Sequence, residues 1–115
     1  MLIIKIWRLP KMQEKELHEL HKNLITAAQG VTESSGDENR EVTCIFPWDD
    51  VPFELDGEIV IEVIFLNMLE YTGSMEGRLI DALKTVLREK FPEAHIDYVA
   101  CPFRPSYGKD RNLSQ

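Results

Sequence analysis

The densest apolar run in the chain is residues 57–66, Gly-Glu-Ile-Val-Ile-Glu-Val-Ile-Phe-Leu, which predicts a β-strand with hardly any polar face. Ile59, Ile61, Val63 and Phe65 point to one side of such a strand, Val60, Ile64 and Leu66 to the other, and Glu62 is the only interior interruption. A strand that is apolar on both faces needs a cover on both. The chain's own helices can supply one, and in so short a protein another subunit is expected to supply the other.

The rest of the pattern falls into place around this run. Residues 2–7, Leu-Ile-Ile-Lys-Ile-Trp, are β-branched and aromatic and predict a first strand that ends near Arg8 or Leu9, ahead of Pro10. From about Gln13 the period changes to helical, with Leu17, Leu20, Leu24, Ala27, Ala28 and Val31 on one stripe and Gly30 as the stop signal. Residues 32–41 contain no apolar side chain and read as a surface loop. A short second strand at 42–46 is stopped by Pro47, and 48–56 is an acidic, aromatic loop.

After the central strand, Ser74 is a candidate N-cap, with Glu76 placed favourably in the first turn. Met75, Leu79, Ala82 or Leu83, Val86 and Leu87 form the stripe of a second helix that Pro92 ends after Phe91. Residues 96–101 make a fourth strand before Pro102, and 104–115 read as an irregular tail.

The resulting order is β-α-β-β-α-β in a single domain over 1–103. Helices joining strands of one sheet favour parallel, right-handed crossovers. Two α+β folds share this order. In the ferredoxin-like fold the halves interleave, and the expectation for it is a dimer or monomer whose first and third strands are adjacent and antiparallel, with both helices on one face. In the other fold each half is a compact β-α-β unit, and a pseudo-twofold axis relates the two units.

Composition narrows the function classes. The chain has 115 residues, enough for one core, and is 43% hydrophobic and 29% charged, an ordinary globular balance. A net charge of −7 repels phosphate backbones and anionic lipid, so neither nucleic acid nor a membrane is expected as a partner. Cys44 and Cys101 sit in apolar β-like runs and are expected to be buried thiols. Residues 2–7 are too short, and Lys5 and Arg8 too polar, for a signal peptide or a span, so the expected location is cytoplasmic.

Motifs are sparse. His18, His21 and Glu14 share roughly one helical face, but a third or fourth metal ligand is not evident, and a solvated face is the simpler reading. Asp49 and Asp50 beside Trp48 are the one loop cluster with acid–base potential, and they too read more simply as water-facing. There is no glycine-rich phosphate loop, no Gly-x-Ser-x-Gly elbow and no Cys-x-x-Cys pair, so no cofactor and no metal are expected.

A strand at the very start, a helix of about 17 residues after a short proline-containing turn, and the repetition of that unit resemble the tautomerase superfamily. This group includes 4-oxalocrotonate tautomerase and macrophage migration inhibitory factor (MIF). The resemblance implies a tautomerase/MIF-like fold: two β-α-β units related by pseudo-twofold symmetry, forming a four-stranded sheet with two helices on one face. It also implies a homotrimer that binds a small carboxylate at a subunit-interface pocket near the amino terminus and interconverts keto and enol forms.

The family's base is an amino-terminal proline. Here position 2 is Leu, whose bulk is expected to retain Met1, and Pro10 is too far along to substitute. The catalytic candidate is then the α-amine of Met1, an amine whose ordinary pKa is about 8 and which acts as a weak base at neutral pH. The resemblance assigns the substrate carboxylate to a basic residue in the turn after the first strand, where Arg8 and Lys11 stand. Arg8 is the better candidate because its guanidinium is two-pronged. Arg104, at the end of the last strand, is the third substrate-binding candidate. Two further readings stay open: a non-catalytic ferredoxin-like module that binds a small molecule or protein, and a trimeric scaffold without activity.

Overall fold

A computed structural model of the chain describes residues 1–34, 41–48, 57–66 and 73–103. The expectations for Asp49, Asp50, Arg104 and the 104–115 tail fall outside these residues. The described elements are β1 (Leu2–Trp7), α1 (Glu14–Ser34), β2 (Val42–Ile45), β3 (Ile59–Leu66), α2 (Gly73–Lys90) and β4 (Ile96–Phe103).

One four-stranded sheet runs in the order β2-β1-β3-β4. β1 and β3 pair antiparallel in the centre, Leu2 opposite Phe65 and Trp7 opposite Val60, while β2 flanks β1 and β4 flanks β3, both parallel. Adjacent, antiparallel first and third strands were the mark expected of the interleaved alternative, and they occur here. The outer strands decide the matter instead. Each helix joins two strands that are direct neighbours, whereas interleaving would set a strand of the other half between them. The two halves are therefore compact β-α-β units, the arrangement that the tautomerase resemblance implies.

The alternating side chains settle the layers. Leu2, Ile4 and Ile6 of β1 and Ile59, Ile61, Val63 and Phe65 of β3 are fully buried. They form one core with Leu20, Leu24 and Ala28 of α1 and Met75, Leu79, Ile80, Leu83 and Leu87 of α2, so both helices cover the same face. Val60, also fully buried, and Trp7 and Glu62, nearly so, belong to the opposite face.

Gln13 opens α1: its carbonyl accepts the Leu17 N–H, and its own N–H donates to the Glu16 carboxylate three residues on, the reciprocal logic of a capping box. Glu16 also pairs with Lys90, tying the start of α1 to the end of α2, and that contact holds its carboxyl below the usual range.

Several boundaries differ from the pattern. α1 runs through Gly30 to Ser34 and consumes the first residues of the expected loop, because Val31 packs on the core and buried Thr32 returns its hydroxyl to the Gln29 carbonyl. β4 runs through Pro102, which an edge strand tolerates because one side of its backbone has no partner among the described strands. β3 begins at Ile59, and β2 ends at Ile45. α2 begins at Gly73, which puts Ser74 inside the first turn, and adds Ile80 to the expected stripe.

Two glycines give opposite expectations. Gly30 is exposed, with open space where a side-chain methyl would stand, so Gly30→Ala should raise stability by about 0.5–1 kcal/mol through helix propensity. A Cβ on Gly57 would lie 2.8 Å from the Asp97 nitrogen and 2.9 Å from the Ile59 carbonyl oxygen, so Gly57→Ala should cost roughly 1–3 kcal/mol. Urea unfolding of the two variants checks both signs.

Candidate functional site

β1 carries a candidate residue at each end. Met1, 42% exposed, precedes the strand, and the neighbouring Leu2 N–H bonds the Glu41 carbonyl at 2.9 Å. Arg8 follows it. A six-residue strand is about 20 Å long, so Met1 and the Arg8–Lys11 turn stand that far apart within one chain. The antiparallel seam sets Arg8 beside the start of β3, and Met1 beside its end.

Arg8 is the one described non-glycine residue with positive φ, at 65°. The chain must leave the sheet before Pro10, and the residue preceding a proline is confined to extended conformations, so the reversal falls on Arg8. Its guanidinium is held in place: Nη1 donates to the Gly57 carbonyl at 2.8 Å. Left-handed backbone in a residue with a Cβ costs on the order of 1 kcal/mol, and it persists where surrounding structure dictates it.

This turn borders a cleft of about 810 Å³. Arg8 and Lys11 supply its charge, and Leu9, Met12, Leu17 and Phe46 supply apolar wall, with Trp48, 97% exposed, beside them. No carboxylate is among its described lining residues. Phe46 is propped from behind by His21, whose ring meets it edge-on at a centroid distance of 5.7 Å. His21 Nε2 lies 2.9 Å from the Cys44 carbonyl oxygen, and since a carbonyl only accepts, Nε2 carries the proton. His21 is thereby tied to β2, while His18 lies 3.8 Å from Glu14 on the exposed side, so the two histidines do not converge.

The arrangement suits a small anion with an apolar body: two cations at one side, hydrocarbon and aromatic surface at the other. A second cavity, about 420 Å³, sets Glu58 and Glu93 against Lys90, which Glu16 already engages, so it offers an anion no such field. Among the described residues no group of three or more His, Cys, Asp or Glu side chains is placed to hold a metal. Both cysteines are free thiols. Cys44 is buried, and desolvation pushes its pKa up to about 12, while Cys101 is only half-buried on the opposite face of the sheet. No described helix is long and apolar enough to cross a membrane.

Pattern reading found Arg8 and Lys11 but not the contributions of Phe46 and Trp48 to their cleft. The signal was an aromatic pair around Pro47, and only the parallel β1–β2 pairing shows that it lies beside the exit of β1.

A four-stranded mixed sheet with paired helices on one face and an anion-suited cleft at a strand exit defines the class of α+β fold, and comparison with known proteins places it. No family model and no curated protein matches the sequence. Solved structures do match. A fused 4-OT asymmetric trimer superposes with a TM-score of 0.62 at 11% identity, covering 94% of each chain. Macrophage migration inhibitory factor from Toxoplasma gondii gives 0.60 at 12% identity, covering 96% of this chain and 97% of that one. A domain of unknown function (DUF1904) from Sebaldella termitidis gives 0.60 at 16% identity, covering 98% of each. The chain has the tautomerase/MIF-like fold.

The strain at Arg8 is measurable. Arg8→Ala and Arg8→Gly both lose the bond to Gly57, but only glycine accepts φ near 65° without penalty. The glycine variant should be the more stable of the two by about 1 kcal/mol in denaturant titrations. Equal stabilities would mean that the turn relaxes.

Proposed function

We propose that the protein is a tautomerase-like homotrimer that binds a small carboxylate or keto-enol compound at a subunit boundary and interconverts its tautomers. The observation that carries this reading is the cleft itself, with two cations beside apolar walls. Arg8 takes the carboxylate through its fork, Lys11 adds a point charge, and Arg104 is the third cation of the proposal. The general base is the Met1 α-amine. Because the length of β1 separates Met1 from Arg8 within a chain, the amine comes to the cleft from a neighbouring copy. The fused 4-OT neighbour, described as an asymmetric trimer, supports the assembly by likeness of fold. No cofactor enters the reaction. The proposed location is cytoplasmic, in keeping with two unpaired cysteines in a reducing compartment.

The test is ketonisation of phenylpyruvate or a hydroxymuconate. Slow turnover should be lost when the amino terminus is acetylated. Arg8→Ala should raise KM by about 10- to 100-fold, the loss of one charge-assisted contact. Absence of turnover, together with indifference to acetylation, would remove the enzymatic reading and leave the trimeric scaffold without activity.

A further inference from the structure

One wall of the cleft is placed by a side chain that does not line it. Phe46 follows the last residue of β2, and the ladder between β1 and β2 ends at the pair Lys5–Ile45. It therefore lies beyond the register that fixes its strand. Phe46 packs against the core and also lines the cleft, so any shift of its ring changes the shape offered to a ligand.

His21 supplies what the ladder does not. It stands one turn beyond Leu17 on α1, so the same helix carries one wall of the cleft and the prop behind another. The His21 and Phe46 rings meet at 88° with centroids 5.7 Å apart, the edge-to-face geometry that aromatic pairs prefer. Nε2 of His21 donates to the Cys44 carbonyl, two residues before Phe46, at 2.9 Å. The hydrogen bond thus orients the imidazole, and the imidazole in turn orients the phenyl ring. β2 has four residues and only one neighbouring strand among the described ones, so this tie from α1 bears directly on where Phe46 stands.

The charged side of the cleft has a different support. Arg8 is fixed by the Gly57 carbonyl, which belongs to the second half of the chain and makes no contact through His21 or Phe46. The anion end and the apolar end can therefore be perturbed separately.

We propose that His21 is a positioning residue for ligand selection: by holding Phe46, it sets how bulky an apolar body the cleft accepts behind a carboxylate taken by Arg8 and Lys11. A ligand whose body reaches Phe46 feels a shift of that wall, and one too short to reach it does not. The inference rests on the reading of the cleft as a site for an anion with an apolar body, and it adds the residue that tunes the fit of that body.

The experiment measures direct binding of two 2-keto acids, phenylpyruvate and pyruvate, to the full chain by titration calorimetry. The two share a carboxylate and differ in the body. His21→Ala should weaken phenylpyruvate about three- to tenfold, the worth of one aromatic contact, and pyruvate by less than about twofold. His21→Phe, which keeps a ring against Phe46, should recover more of the loss than His21→Gln, which keeps only a donor for Cys44. In a Phe46→Ala background, His21→Ala should leave the ratio of the two affinities unchanged, because the wall it positions is gone. Equal losses for the two acids, no loss for either, or a full further loss in the Phe46→Ala background overturns the role of His21 and leaves the cleft reading standing. A wild type that binds neither acid overturns both.

Discussion

The antiparallel seam between β1 and β3 is the constraint on which the rest of the structure depends. It brings Ile4 opposite Val63 and Ile6 opposite Ile61 in the centre of the sheet. Because side chains alternate along a strand, this register commits every even-numbered β1 residue from Leu2 to Ile6 to the helix side in one step. A slip of one residue would turn Leu2, Ile4 and Ile6 outward and carry Lys5 into the core, so the lone charges in these strands enforce the register as strongly as the apolar residues do. Each half then closes on its own parallel neighbour, and the two helices meet over a shared core.

The same seam distributes chemistry between the two ends of the molecule. It separates the amino terminus from the basic turn by the full length of a strand, and it places Arg8 against Gly57, whose carbonyl fixes the guanidinium. Gly57 can approach so closely only because it lacks a side chain that would meet Asp97. The basic turn is thus preorganised by the second half of the chain although its residues belong to the first. Preorganisation of this kind lowers the entropic cost of holding a ligand. The buried Cys44 thiol plays no part in this, since desolvation keeps it protonated at neutral pH and its backbone carbonyl serves only to hold His21.

Much of the fold was legible in the sequence, because its elements announce themselves by period. The alternation in residues 2–7 and 57–66 and the helical stripes around Leu20, Leu24, Leu79 and Leu83 need no tertiary information. The boundaries did need it. Gly30 reads as a stop until Val31 and Thr32 are seen to pack, and Pro102 reads as one until β4 is known to be an edge. The candidate site was legible in part. Arg8 and Lys11 stand out as cations after a strand, but their distance from Met1 follows from the strand's length and direction, and Phe46 reaches them only through sheet pairing. Glu62 was visible as an interruption, and Lys5 as a break in the first run. That the two face each other is a property of register, which no local pattern carries.

The central claim is that the site is shared: the amine of one copy serves the basic cleft of another. Mixing Arg8→Ala chains with amino-terminally acetylated chains tests it most directly, because at substrate concentrations far below the raised KM of Arg8→Ala each is expected to turn over little alone, while each retains what the other lacks. Recovery of phenylpyruvate ketonisation on mixing, in proportion to hetero-oligomer formed, is the predicted result. Hetero-oligomers that form without any recovery would contradict it.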